Sequence, residues 1–169
     1  GGAAGGADVR AVDRGGHAAG QGSREAFFRP TKGAVIGASA RPGAIGGAVF
    51  RNIVDGGFTG RAYPINRSGE PVAGVPSVRS IDELADEIDL VVVCVPAAAV
   101  KGAVESALVA GVRAICVITA GFAETGPAGA RAQGELLALV RSYGGRLIGP
   151  NGLGLAAAAV RMTATSQPP

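Results

Sequence analysis

Tryptophan is absent, and five Phe with two Tyr bring the aromatic share to only 4%. Single-stranded nucleic acid is gripped by stacking bases on aromatic faces, so a chain this poor in them has no such platform. Charge is sparse as well: 17% of residues are charged, and 16 Lys and Arg against 13 Asp and Glu leave +3. An excess so small and so scattered does not make a nucleic-acid footprint, and no nucleic-acid partner is expected. Only two cysteines occur, Cys94 and Cys116, both inside apolar, β-branched runs. That excludes a disulfide framework and points to buried free thiols in a reducing cytoplasm. With His17 as the only histidine, a structural zinc site cannot be assembled. Long apolar runs are missing too. The longest, Leu90 to Val100, has 11 residues and is broken by Pro96, so no membrane span is expected. No charged segment followed by an apolar one opens the chain, so no secretory signal is visible.

What remains is rich in glycine, 29 of 169 residues, and 47% hydrophobic, enough for one domain with a sizeable core. Residues 1–26 stand apart: 15 of them are Gly or Ala and their six charges cancel. They read as a flexible leader in which His17 is inert, because such a segment cannot hold a side chain in catalytic geometry. Residues 27–165 read as the folded domain and 166–169 as its edge. Within the domain, strand and helix patterns alternate. Strands are expected at Lys32 to Ala38, Arg61 to Asn66, Leu90 to Val95, Arg113 to Thr119 and Arg146 to Gly149. Pro64 places the second of these near a sheet edge. Helices are expected at Ile45 to Asp55, from about Ala97 to Ala110, and from Pro127 to Tyr143. A capping box, Ser80-x-x-Glu83, should open a further short helix through about Glu87. The alternation predicts an α/β, Rossmann-like doubly wound domain: a mostly parallel sheet of about five strands flanked by helices.

Ligands of such sheets bind beyond the carboxyl ends of the strands, so the loops there carry the functional information. The first, Gly37-Ala38-Ser39-Ala40-Arg41-Pro42-Gly43-Ala44-Ile45-Gly46-Gly47, brings glycines and backbone N–H groups to a helix start, where an anion is favoured. It is neither a Walker A loop nor GxGxxG, because Ser39 takes the place of the middle glycine. After the second strand, Asn66 and Arg67 replace the carboxylate that usually holds the ribose of NAD. A guanidinium there suits a ligand with a phosphorylated ribose. Val95, Pro96 and Ala97 could wall an adenine ring or merely start a helix. The fourth loop, from Ile118, Thr119 and Ala120 to Gly126, holds one carboxylate, Glu124. Asn151 in the fifth could contact a ligand or cap its turn. No His, Cys or Lys stands in these loops, so the domain reads as built to hold a phosphorylated ligand rather than to transform it.

The stretches VIGASARPGAIGGAVFRNI, GFTGRAYPIN, VAGVPSV, DLVVVCVPAAAV, ITAGFAETG and GPNGLG together resemble the N-terminal CoA-binding domain of NDP-forming acyl-CoA synthetases, which is related to the first domain of the succinyl-CoA synthetase α subunit. The resemblance covers about residues 26–165. It implies a Rossmann-like domain that binds coenzyme A, a substrate of the synthetase reaction, with no catalytic residue in this chain. Ser39 to Pro42 would face the CoA phosphates, Asn66 and Arg67 would lie near the nucleotide, Val95 to Ala97 would line the adenine, and Ile118 to Ala120 would flank the pantetheine arm. Gly152 stands where the family usually has Cys. The phosphohistidine domain and the ATP-grasp region of such enzymes are then the expected partners, and the chain reads as a fragment. Two other readings stay open: a stand-alone CoA-binding regulatory module and an NADP-binding Rossmann domain.

Overall fold

The computed structural model describes residues 31–150 apart from 57 and 59. The leader with His17, the turn bearing Asn151 and the last residues lie outside that range. Five strands, β1 (Lys32–Ile36), β2 (Arg61–Ile65), β3 (Leu90–Val93), β4 (Ala114–Val117) and β5 (Arg146–Ile148), form one sheet in the order β2-β1-β3-β4-β5. Every pairing is parallel. Helices α1 (Ile45–Asp55), α2 (Ala97–Val109) and α3 (Pro127–Ser142) supply the crossovers. The doubly wound fold expected from the alternation is therefore present, and β2, with its Pro64, is an edge strand.

β3 and β4 are buried at every position, as strands covered on both faces must be. Alternate residues feed two cores. Val91, Val93, Ile115 and Val117 pack with Val100, Val104 and Leu108 of α2 and with Leu136 and Val140 of α3. Val35, Leu90, Val92 and Cys116 pack with Val49, Phe50 and Ile53 of α1. Cys116 is buried, Cys94 is half-buried, and both are free thiols. Loss of hydration pushes each thiol up to about 12, so neither is a nucleophile at neutral pH.

The expected strands are one to three residues longer than those formed, because pairing stops where each chain turns into its loop. The larger difference lies between β2 and β3. The Ser80–Glu83 capping box forms, with Glu83 accepting from the Ser80 N–H, yet it starts only a single 3-10 turn, Ile81–Glu83. No helix continues to Glu87. The chain extends at Leu84, and Asp86 and Asp89 are drawn to the beginnings of β1 and β2 instead. Asp89 Oδ2 accepts from the N–H groups of Thr31 and Lys32, while Asp86 pairs with Lys32 and Arg61. These tertiary contacts outweigh the local helical preference.

An apolar cavity of about 10 Å³ lies between the sheet and α1, lined by Gly33, Ile53, Phe58, Ala62, Leu90 and Val92. A Cβ on Gly33 would approach nothing nearer than the Leu90 carbonyl oxygen at 3.7 Å. Gly33→Ala is therefore expected to stabilise the fold by about 0.5–1 kcal/mol, through a filled void and a less flexible unfolded chain. Urea unfolding should show a higher midpoint at unchanged slope. A lower midpoint would mean that β1 requires glycine there.

Candidate functional site

The chain leaves β1 toward β2 on one side and later enters β3 on the other, so the strand order reverses between β1 and β3. A crevice forms at such a switch point, and the loop after β1 lies on it. Gly37 opens that loop with φ of 94° and donates its N–H to the Ile65 carbonyl at 2.9 Å. A side chain at Gly37 would place its Cβ 2.6 Å from the Cys94 carbonyl oxygen, so only glycine lets the loop cross β3 this closely. Arg41 to Ala44 is a turn closed by a 3.2 Å bond, with Pro42 and Gly43 (φ 82°) at its centre, the residues a type II turn selects. The Ser39 hydroxyl accepts from the Arg41 N–H at 3.1 Å, so it shapes the loop. Ala40, Arg41 and Pro42 are exposed.

The loop lies against the first turn of α1. Ideal Cβ atoms on Gly46 and Gly47 would stand 2.0 and 2.1 Å from the carbonyl oxygens of Gly37 and Ser39. Ala44 caps α1 without a side-chain hydrogen bond, and no acidic residue occupies the first turn. The helix start thus presents backbone N–H groups and its positive dipole end with no carboxylate to neutralise them. A helix start of this kind, packed closely against glycines, can cradle an anion.

At the end of β2, the structure separates Asn66 from Arg67. The Asn66 side-chain oxygen accepts from the Gly69 N–H at 2.7 Å and the Ser68 hydroxyl at 3.0 Å, and its amide donates to the Glu70 carbonyl. Asn66 therefore organises the 66–70 turn. Arg67 is exposed on that turn and makes no side-chain hydrogen bond or ion pair among the described residues. Arg79, which no sequence pattern singles out, comes against the same turn at Gly69: its Nε lies 3.1 Å from where a Cβ of Gly69 would be.

The loops after β3 and β4 are joined. Thr119 donates its hydroxyl proton to the Val95 carbonyl, and Gly121, with φ of 103°, leaves only 3.2 Å between an ideal Cβ and that of Ala97. Val95 is half-buried, Pro96 and Ala97 are exposed, Ile118 is buried and Ala120 is exposed. Glu124, the one carboxylate in these loops, is spent on the main chain, accepting from the N–H groups of Gly121 and Phe122. Those bonds, the Gly121 N–H foremost, hold its carboxyl below the usual range. Gln133 of α3 accepts from the next N–H, that of Ala123. Sequence reading noted Glu124 as a lone carboxylate but not as a cap. A Glu that follows a glycine at three residues in a turn before a helix is the signal.

The site thus offers peptide N–H groups, guanidinium groups and small apolar walls, with no general acid or base among its described residues. Similar chains carry a consistent description. The α subunit of an ADP-forming acetate–CoA ligase I from Pyrococcus furiosus is 37% identical over 150 residues, which are 86% of this chain and 32% of that protein. A trans-feruloyl-CoA synthase from an unknown prokaryote is 37% identical over 76% of this chain and 18% of its own length. Among solved structures, the acetyl-coenzyme A synthetase 1 of Ca. Korarchaeum cryptofilum in complex with phosphate and ADP superposes with a TM-score of 0.73 at 33% identity. It covers 87% of this chain and 31% of that one. The chain therefore spans about a third or less of the length of these relatives. Residues 31–158 match the family model described as the CoA binding domain, and to that family the chain belongs.

Proposed function

We propose that this chain supplies the coenzyme A site of an NDP-forming acyl-CoA synthetase, which joins an acid and CoA at the expense of a nucleoside triphosphate to give acyl-CoA, NDP and phosphate. The observation that carries the reading is the glycine cradle at the β1–β3 switch point, in a chain of the CoA-binding family. In this reading the Gly37–Pro42 loop and the start of α1 take the pyrophosphate on main-chain N–H groups. Val95, Pro96 and Ala97 wall the adenine, Ile118 to Ala120 flank the pantetheine arm, and Asn151, outside the described residues, is a further contact residue. Asn66 acts by holding the turn that presents Arg67 to the 3′-phosphate. Phosphoryl transfer belongs to a phosphohistidine domain and an ATP-grasp region, the partners of this domain, and the whole works in the cytoplasm, where its two thiols stay reduced. The relatives are named for acids as unlike as acetate and ferulate, which fits a domain that reads CoA and leaves acid selection to other parts.

The test is titration calorimetry with CoA, dephospho-CoA and NADP. Wild type should bind CoA best. Arg67→Ala should weaken CoA about tenfold, the value of one charge-assisted contact, and leave dephospho-CoA unchanged. Equal losses for both ligands would move Arg67 off the 3′-phosphate. Tighter binding of NADP than CoA would overturn the reading as a whole.

A further inference from the structure

The loop between β4 and α3 is built with more care than a connector needs. Glu124 binds two successive N–H groups, Gln133 takes a third, and the Thr125 hydroxyl donates to the Phe122 carbonyl at 2.7 Å. Gly129 of α3 sits so close beneath that a Cβ there would stand 1.9 Å from the Phe122 carbonyl oxygen. At its other end the loop leans on Ala97 through Gly121 and on Val95 through Thr119. Residues 119–121 are therefore held between two anchors, a helix on one side and the mouth of β3 on the other. Ile118 and Phe122 bury their side chains on either side, while Ala120, Gly121 and Glu124 are exposed. Between those two buried residues the path of the main chain rests on the carboxylate and on the Thr119 bond.

We infer that Glu124 is a positioning residue: by clamping the Gly121 and Phe122 N–H groups it fixes the Thr119–Gly121 lip as one wall of the channel for the pantetheine arm. This rests on the CoA reading above, and it assigns to the only carboxylate of these loops a task in binding rather than in acid–base chemistry. Both N–H groups are received by one oxygen, Oε1, so a glutamine can reproduce the clamp without the charge, whereas alanine cannot.

The experiment compares Glu124→Ala and Glu124→Gln with wild type, using CoA and adenosine 3′,5′-bisphosphate, which shares the phosphorylated ribose but lacks the arm. Glu124→Ala should weaken CoA about tenfold, the loss of two charge-assisted bonds partly offset by water. Glu124→Gln should recover most of that loss, and the bisphosphate should bind all three proteins alike. Amide exchange at Gly121 and Phe122 should accelerate in the alanine variant alone. Equal weakening of both ligands, or a glutamine variant no better than alanine, would overturn the assignment. Unchanged amide exchange in Glu124→Ala would overturn the clamp whatever the ligand data say. Failure of wild type to bind CoA strikes instead at the functional reading beneath it.

Discussion

Gly46→Ala should destabilise the domain by about 3 kcal/mol and remove measurable CoA binding, though it exchanges a hydrogen for a methyl group in a helix, where alanine is normally preferred. The added Cβ would stand 2.0 Å from the Gly37 carbonyl oxygen and 2.7 Å from its carbon. Backbone cannot yield as a side-chain tip does, and Gly37 is itself pinned between the Ile65 carbonyl and the Cys94 peptide. Either α1 lifts off the sheet, which breaks the contacts of Val49, Phe50 and Ile53, or the loop is pushed into the crevice. Both routes spoil the cradle. Gly102→Ala is the control, because Gly102 is exposed inside α2 with nothing within 4 Å of an added Cβ. It should gain about 0.5–1 kcal/mol from helix propensity alone. Chemical unfolding followed by circular dichroism measures both. A Gly46→Ala protein as stable as wild type and still binding CoA would mean that the loop and α1 do not touch in solution.

Asp86→Ala should also cost about 3 kcal/mol, for an electrostatic reason. Lys32 and Arg61 stand directly opposite each other on β1 and β2, an arrangement of like charges that opposes pairing. Asp86 lies beneath them with its side chain only 5% exposed, 3.6 Å from Lys32 Nζ and 3.3 Å from Arg61, and accepts the Tyr63 hydroxyl proton. Without it Lys32, a residue only 7% exposed, loses the carboxylate that pairs with its ammonium. The Tyr63 hydrogen bond is the chief reason that the Asp86 carboxyl is held low, the Lys32 charge and Arg61 adding to it against the cost of burial. A carboxyl whose folded value lies below its unfolded one contributes fully at neutral pH, and that contribution fades as pH falls through the folded value. Wild-type stability should therefore decline below about pH 5, and the variant, which has no such contribution to lose, should decline less. Parallel curves for the two proteins would show that Asp86 carries no linkage.

The strand and helix sequence was legible because apolar runs and periodic faces are local. Leu90 to Val93 form the strand covered on both sides, and Val49 and Ile53 mark the buried face of α1, whereas Ile45 at the same spacing is exposed in the first turn. The glycine turn was legible for the same reason, since Pro42-Gly43 sets its own turn, whereas the packing of Gly46 and Gly47 on Gly37 and Ser39 comes only with the fold. The capping box at Ser80 was also read correctly, but a cap starts a helix without sustaining one. What stopped it is the pull of Asp86 and Asp89 toward residues 54 or more positions earlier in the case of Lys32, a pairing that no local pattern encodes. Asn66 and Glu124 show a further limit. Residue type told that each could bind something, while only the fold reveals that each binds its own main chain.

Because every strand points the same way, the sheet has a chemical direction. At the ends where the strands finish, the proposed site is made of peptide groups, close-packed glycines and the Arg67 guanidinium; at the ends where they begin, ionised groups lock the strands together. Stability therefore reports on both ends of the molecule, through Asp86 at one and the contact of Gly46 with Gly37 at the other, whereas ligand affinity reports on one. A variant that melts early can keep its affinity intact, and one that binds nothing can be perfectly folded, so neither measurement substitutes for the other.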